Sequence, residues 1–258
     1  MRIAILTLFP EMFDGFLKNS IIKRALAKKT VEIETINIRL FTKDRYHRVD
    51  TPPVGGGAGL VMKCQPLVEA ISKTKKADSH IVLLSPRGET YNQKTAKRLA
   101  NYEDLLIICG HYEGIDERVN KYVDELISIG DYILTGGEVA AMAITDSIVR
   151  LQRGSIAEES LAEESFESGL LEYPQYTEPY DFEGQKVPDL LYSGNHAAIA
   201  KWRRKQALLL TKKHRPDLFR NIKLTKTDFK LLNEDEQQET PKWESEALHK
   251  GAKFIKKK

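Results

Sequence analysis

The sequence predicts an α/β protein, a parallel sheet with covering helices, followed by a smaller all-α region rich in basic residues. Three observations predict it. From the N-terminus onward, apolar runs of strand length alternate with stretches of helical spacing, the pattern of a parallel sheet. Three of these strands end in glycine-bearing turns, Ser85–Gly88, Gly110–Gly114 and Gly130–Gly137. Beyond Arg150 the chain changes character. AEESLAEESFE (157–167) holds five glutamates and no base, whereas Asn195–Lys230 carries eleven Lys and Arg against two Asp. These shifts divide the chain into an α/β domain at 1–156, an acidic flexible linker at 157–168 and a helical domain at 169–258.

The elements follow in order. RIAILTLF (2–9) reads as a strand, and Pro10 with Glu11 opens a helix carrying Phe13, Phe16, Leu17, Ile21 and Ala25 on one face. VEIETINI (31–38) alternates with the period of two of a strand. Residues 41–63 break the regularity: Lys43, Arg45, Tyr46, His47 and Arg48 run into Asp50, two prolines and Gly55-Gly56-Gly57-Ala58-Gly59. This is not a phosphate-binding Walker loop, because Lys63 has no glycine before it and no Ser or Thr after it. Cations for phosphate, a ring for stacking and bare backbone suit an approaching nucleic acid. A solvated surface loop accounts for the same residues. A helix over 65–73, a strand at 80–85 closed by the turn Pro86–Gly88, a helix over 92–100 and a strand at 104–110 come next. The turn 111–118 and a short helix lead to ISIGDYILTGGEVAAM (127–142), where two apolar runs, 127–129 and 132–134, are each followed by a glycine turn and a helix begins at Glu138.

In open α/β sheets ligands bind beyond the carboxyl ends of the strands, so the three turns are candidates for one composite site. None is GxGxxG, and none places Lys or Ser/Thr to hold a pyrophosphate, which argues against a dinucleotide or nucleoside triphosphate. Apolar walls with polar main chain suit adenine, and a sulfonium prefers carbonyl or carboxylate neighbours. S-adenosylmethionine fits both. A buried strand with its turns is the plainer reading of the same stretch.

Composition excludes other classes. The chain of 258 residues is 41% hydrophobic and 30% charged, with a net charge of +3, the profile of an ordinary soluble protein. No run approaches the ~20 apolar residues of a membrane span. The N-terminus lacks a small-residue cleavage site and reads as a strand, not a signal peptide. Cys64 and Cys109 are the only cysteines, which fits a reducing cytoplasm and argues against a disulfide scaffold or a cysteine metal site. In the basic region Ala198/Ile199, Trp202 and Leu209/Leu210 form an apolar stripe with basic residues on the other faces. That is a nucleic-acid footprint or, more plainly, a solvated helix.

Six motifs occur in order: LFPEMF (8–13), VGGGAGLVMKCQPL (54–67), LSPRGE (84–89), CGHYEGIDERV (109–119), SIGDYILTGGE (128–138) and YSGNHAAIAKWRRKQAL (192–208). Over roughly residues 1–220 the chain resembles the bacterial tRNA (guanine-37-N1)-methyltransferases of the SPOUT superfamily. The resemblance implies a trefoil-knotted parallel-sheet domain, a homodimer and a C-terminal domain that grips tRNA. It places S-adenosylmethionine against Leu84, Ser85, Pro86, Gly110, Tyr112, Glu113, Ser128, Ile129, Gly130, Asp131, Tyr132, Ile133, Leu134, Gly136 and Gly137. It places tRNA against Arg45, His47, Asp50, Gly55, Gly56, Gly57, Asn195, His196, Arg203 and Arg204. It brings no metal ligands, although Mg²⁺ is a candidate support for activity.

Guanine N1 carries a proton that a base must remove, and the charge that develops falls largely on O6, where a cation stabilises it. In the family the arginine matches Arg150. The base is an aspartate just before a Ser-Phe-x-x-Gly-Leu-Leu motif, here Ser165–Leu171, and Glu164 stands in its place. Further departures are Ala140 and Arg153 where the family has proline, and Glu178 where it has arginine. Two classes stay open: a methyltransferase using Glu164 and Arg150, and an RNA-binding protein that keeps the cofactor pocket but methylates weakly or elsewhere.

Overall fold

A computed structural model describes residues 1–156, 164–236 and 240–255. The chain divides into two compact units, Met1–Glu158 and Glu159–Lys258.

The first unit is built on a five-stranded parallel sheet in the order β2-β1-β6-β5-β7: β1 Arg2–Thr7, β2 Glu32–Asn37, β5 His80–Thr90, β6 Asp104–Ile108 and β7 Glu125–Ser128. Two-residue strands β3 (Asp50–Thr51) and β4 (Val61–Met62) pair as a separate antiparallel hairpin. Alternate side chains leave a strand on opposite faces, and here both faces are covered. Ile3, Ile5, Val82, Leu105 and Ile107 pack with Ile144, Ile148 and Val149 of helix α5 (Glu138–Leu151). Ala4, Leu6, Leu83, Leu106 and Ile108 pack with Leu67, Ala70 and Ile71 of α3 (Cys64–Thr74). Burial on both faces is why β1 and β6 read as continuous apolar runs. The one acid in β6, Asp104, is buried and accepts from Arg2 (2.7 Å) and Ser79 (2.5 Å). Burial alone would push its carboxyl up, but these bonds hold it below the usual range.

Two local expectations are corrected. The helix expected from Pro10 is a 3-10 turn (Pro10–Phe13) and two short helices, α1 (Asp14–Leu17) and α2 (Ser20–Ala27). The break comes where Asn19 turns its amide back to the Gly15 carbonyl (2.8 Å) and Ser20 takes φ +54°. The strand expected to stop at residue 85 continues to Thr90. Pro86-Arg87-Gly88 is a bulge inside it, because Ile127 of β7 pairs with both Leu84 and Glu89. A Cβ on Gly88 would lie 2.4 Å from the Ile127 nitrogen, so backbone meets backbone there. The second apolar run, Tyr132–Leu134, has no regular secondary structure, and Ile133 is 81% exposed. Helix α4 (Gln93–Leu99) lies where expected, with the Asn92 side chain capping it.

The second unit contains α6 (His196–His214), α7 (Pro216–Asn221), α8 (Lys226–Glu236) and α9 (Lys242–Ile255). It also holds a short antiparallel hairpin, β8 (Asp181–Phe182) with β9 (Gln185–Lys186), so the helical region is not purely α. On α6 the buried face is Ala198, Trp202, Lys205, Leu208 and Thr211. It runs past Leu208, leaving the expected Leu209 and Leu210 half-buried, because three- and four-residue steps from Trp202 reach 208 first.

Candidate active site

The bulge within β5 and the turns after β6 and β7 converge on one cleft of about 740 Å³ in the first unit. Of the fifteen residues expected around the cofactor, fourteen line it; Asp131 is exposed on the turn and does not. The walls are aliphatic at Leu84, Ile129, Leu134 and Ala140, and bare backbone at Gly110, Gly136 and Gly137.

The turns are held by short bonds within and between them. The Ser128 hydroxyl accepts from the Gly130 amide (3.2 Å) and the Gly130 carbonyl accepts from the Tyr132 amide (3.0 Å). Gly130 sits at φ +146°, and a Cβ there would come within 2.6 Å of the Tyr132 ring. The Gly137 amide donates to the Gly110 carbonyl (2.9 Å), and His111 bridges to Gly136. A Cβ on Gly136 would fall 2.3 Å from the His111 ring. These glycines let two turns close on each other.

Behind that contact is a buried polar network that the sequence did not announce. Glu138, 1% exposed at the first turn of α5, accepts from Thr7 Oγ1 (2.7 Å) and from His111 Nε2 (2.7 Å). Thr7 Oγ1 in turn accepts from the Phe9 amide (3.0 Å). One carboxylate thus ties the end of β1, the turn after β6 and the start of α5 around the cleft. Cys109 lies beside it, fully buried, with its thiol pushed well above the usual range by burial and then by Glu138. It is no nucleophile. At the mouth, Arg87 pairs with Glu117 (2.8 Å) and holds that carboxyl below its ordinary value.

The base of the glycine-rich loop is fastened to the rim. Glu113 donates its amide to the Leu60 carbonyl (3.0 Å), Met62 to that of Gly114 (2.9 Å), and Asp116 to that of Met62 (3.0 Å). Tyr112 takes φ +61° between these bonds. Its phenol is pushed up by burial and by Asp50, with Arg39 opposing. The loop tip is exposed, with Gly55, Gly56 and Gly57 all at positive φ. Arg45 stacks on Tyr46 at 4.5 Å, His47 faces the Arg39 carbonyl at 3.3 Å, and Arg48 is paired with Asp44 (2.8 Å).

The sequence model of the family described as tRNA (Guanine-1)-methyltransferase TrmD matches residues 1–221. The chain belongs to the tRNA (guanine-1)-methyltransferase family. A tRNA (guanine-N(1)-)-methyltransferase of Clostridium perfringens is 56% identical over 234 residues, 90% of this chain and 99% of that protein. One from Dictyoglomus turgidum is 53% identical over 235 residues, 91% of this chain and 96% of its own. One from Clostridium acetobutylicum is 55% identical over 238 residues, 92% and 98%. Membership makes this chain an enzyme, a methyltransferase, and the converging turns are its candidate active site.

Two residues expected to work in this methyltransferase are not among the residues that line the cleft. Arg150 is in the last turn of α5, whose first turn lines the cleft at Ala140. Ten residues of helix separate Ala140 from Arg150, about 15 Å at 1.5 Å per residue, and Arg150 does not line the cleft. Glu164 belongs to the second unit, where it is half-buried at the start of a stitched turn. Its carbonyl accepts from the Glu167 amide (3.3 Å), the Leu170 carbonyl from the Phe166 amide (2.8 Å), and Ser165 Oγ from the Glu172 amide (2.9 Å). The Leu171 amide reaches Thr211 Oγ1 on α6 (2.8 Å). The expected linker residues 157–163 lie outside the described residues. Among the described residues no group of three or more His, Cys, Asp or Glu is placed to hold a metal ion, and no helix is long and apolar enough to cross a membrane.

The basic candidates on α6 are not simply displayed to solvent. Arg203 lies over the Tyr173 ring at 4.7 Å, and Arg204 grips Asp228 with bonds of 2.8 and 3.0 Å. Asn195 caps α6 through the Ala198 amide (3.2 Å), and His196 is exposed beside it.

Proposed function

We propose that this methyltransferase transfers the methyl group of S-adenosylmethionine to N1 of guanosine 37 in tRNA, 3′ of the anticodon. The observation that carries the reading is the cleft's lining. Among the described residues Arg87 is the only Lys or Arg there, and it is already paired with Glu117. A nucleoside without phosphates needs no such cation, and aliphatic walls with bare glycine backbone suit a flat purine. When bound, S-adenosylmethionine supplies an electrophilic methyl group on sulfur.

The protein's own residues do the rest. Glu164 takes the N1 proton, freeing that lone pair for attack, and Arg150 donates to O6 as negative charge gathers there. Glutamate ionises near the same pH as aspartate, ~4.3 against ~3.9, and the turn from Ser165 to Leu171 fixes the backbone that carries its longer arm. Arg150 stands about 15 Å along α5 from Ala140 of its own cleft, which supports a homodimer in which the arginine comes from the second copy. Exposed Ile133 and Val139, at 81% and 52%, support an apolar partner surface beside the cleft. Membership in the family supports a trefoil knot in this domain. In this reading residues 1–156 hold the cofactor, 157–168 link, and 169–258 grip the tRNA, with the glycine-rich loop at the rim as a second contact. The substrate sets the compartment, the cytoplasm.

The test is methyl transfer from labelled cofactor to unmodified tRNA transcripts. Transcripts with guanosine at 37 should accept label, and those with adenosine there should not. Equal labelling of both would reject the assigned position, and no labelling of either would reject the reading.

A further inference from the structure

Helix α9 lies past the part of the chain that the family match covers, and its packing is specific. Trp243, Ala247 and Leu248 set it against Leu190, Ala198 and Trp202. The Trp243 indole donates to Glu234 (3.0 Å) and lies under the Lys201 ammonium at 4.4 Å. The tightest point is near its end. Gly251 is buried on Ser193 so closely that a Cβ would sit 2.6 Å from the Ser193 Cα and 2.8 Å from its carbonyl oxygen. A helix interior is a poor place for glycine, and its presence marks a contact in which backbone must approach backbone.

The residue under that contact is not arbitrary. Ser193 is 4% exposed, and its hydroxyl accepts from the Asn195 amide (3.2 Å), the residue whose side chain caps α6. Gly194 between them takes φ +68°. The turn Ser193–Asn195 therefore aims the first turn of α6, with exposed His196, and α9 lies on its back. The first-turn amides of such a helix, together with a histidine, suit a phosphate of an RNA backbone.

We propose that α9 is a positioning clamp. By seating Gly251 on Ser193 it fixes the Ser193–Asn195 turn and so the geometry with which the α6 N-terminus meets tRNA. The inference rests on the reading that the second unit grips tRNA. It assigns to residues 242–255 a part in substrate affinity and none in the methyl-transfer step.

The test is the full-length Gly251→Leu variant, with hydrogen exchange at Ala247 and Leu248 reporting whether α9 is seated. Expected are faster exchange there, a roughly tenfold higher KM for tRNA, a kcat within about twofold of wild type and an unchanged cofactor Kd. Merely structural damage would lower kcat or cofactor affinity as well. Gly251→Ala, adding a single methyl group, should move the same KM in the same direction by less, and it stands in if the leucine variant does not fold. Faster exchange with an unaltered KM would overturn the proposal, as would unaltered exchange, since the close approach would then not hold the helix. A wild type inert toward tRNA would overturn the underlying reading before any variant is made; an active wild type with an indifferent Gly251 variant would overturn the clamp alone.

Discussion

At Glu164 the chain departs from the aspartate of the enzymes it resembles, and one substitution tests what the departure means. Glu164→Gln keeps size and hydrogen bonding but cannot take a proton, so single-turnover methyl transfer should fall ~10²-fold or more, with tRNA and cofactor binding retained. An unchanged rate would hand the role to another carboxylate, Glu172 first. Glu138 should behave differently. Glu138→Ala strips the acceptor from Thr7 and His111 in a buried site, at a cost of about 1–3 kcal/mol, or roughly 2–4 °C of Tm for each kcal/mol. Cofactor affinity should fall as the two turns loosen, and Glu138→Gln should recover most of both; calorimetry and thermal melts check this. The cleft's glycines were legible in the sequence because a turn needing bare backbone leaves a local mark. The Thr7–Glu138–His111 network was not, since its members are separated by 27 to 131 positions and share no spacing.

At the scale of the element, α6 shows what a periodic pattern reveals and what it hides. Amphipathic spacing located the helix, yet Arg204, expected on an outward basic face, is spent on Asp228 of α8. The Arg204 guanidinium and the Thr225 backbone and hydroxyl hold the Asp228 carboxyl down, from 3.8 to about 2. The sign follows from the direction. A carboxyl whose folded pKa is depressed contributes stability above its unfolded pKa and loses it as pH falls through the folded value. Asp228→Asn should therefore lower Tm at neutral pH, and the difference from wild type should shrink between about pH 4 and pH 2. A difference that stays constant across that window would remove the ion pair from the account of α6. The same limit explains the Pro10 helix and the β5 bulge: Phe13, Leu17 and Ile21 keep helical spacing across a break set by Asn19 and Ser20, and Pro86-Arg87-Gly88 reads as a turn until Ile127 pairs with both sides of it.

For the whole molecule the decisive question is whether one copy completes the site of another. Arg150→Ala should lose the O6 donor, and Gly130→Val should lose cofactor binding because its Cβ would strike the Tyr132 ring. Each homodimer should then be inactive. Refolded together in equal amounts, the two variants should recover about a quarter of wild-type activity, because half the dimers would carry one cleft and one arginine intact. No recovery would mean that each copy works with its own Arg150. A last consequence follows from the glycines at which the turns around the cleft meet. An inhibitor that reads the amides and carbonyls at those glycines would leave the enzyme little to mutate. At Gly130, Gly136 and Gly137 the space for any side chain is already taken by Tyr132, His111 and Cys109. Serial selection for resistance should therefore yield raised expression, or changes at the rim near Arg87 and Glu117, before it yields a substitution in the turns themselves.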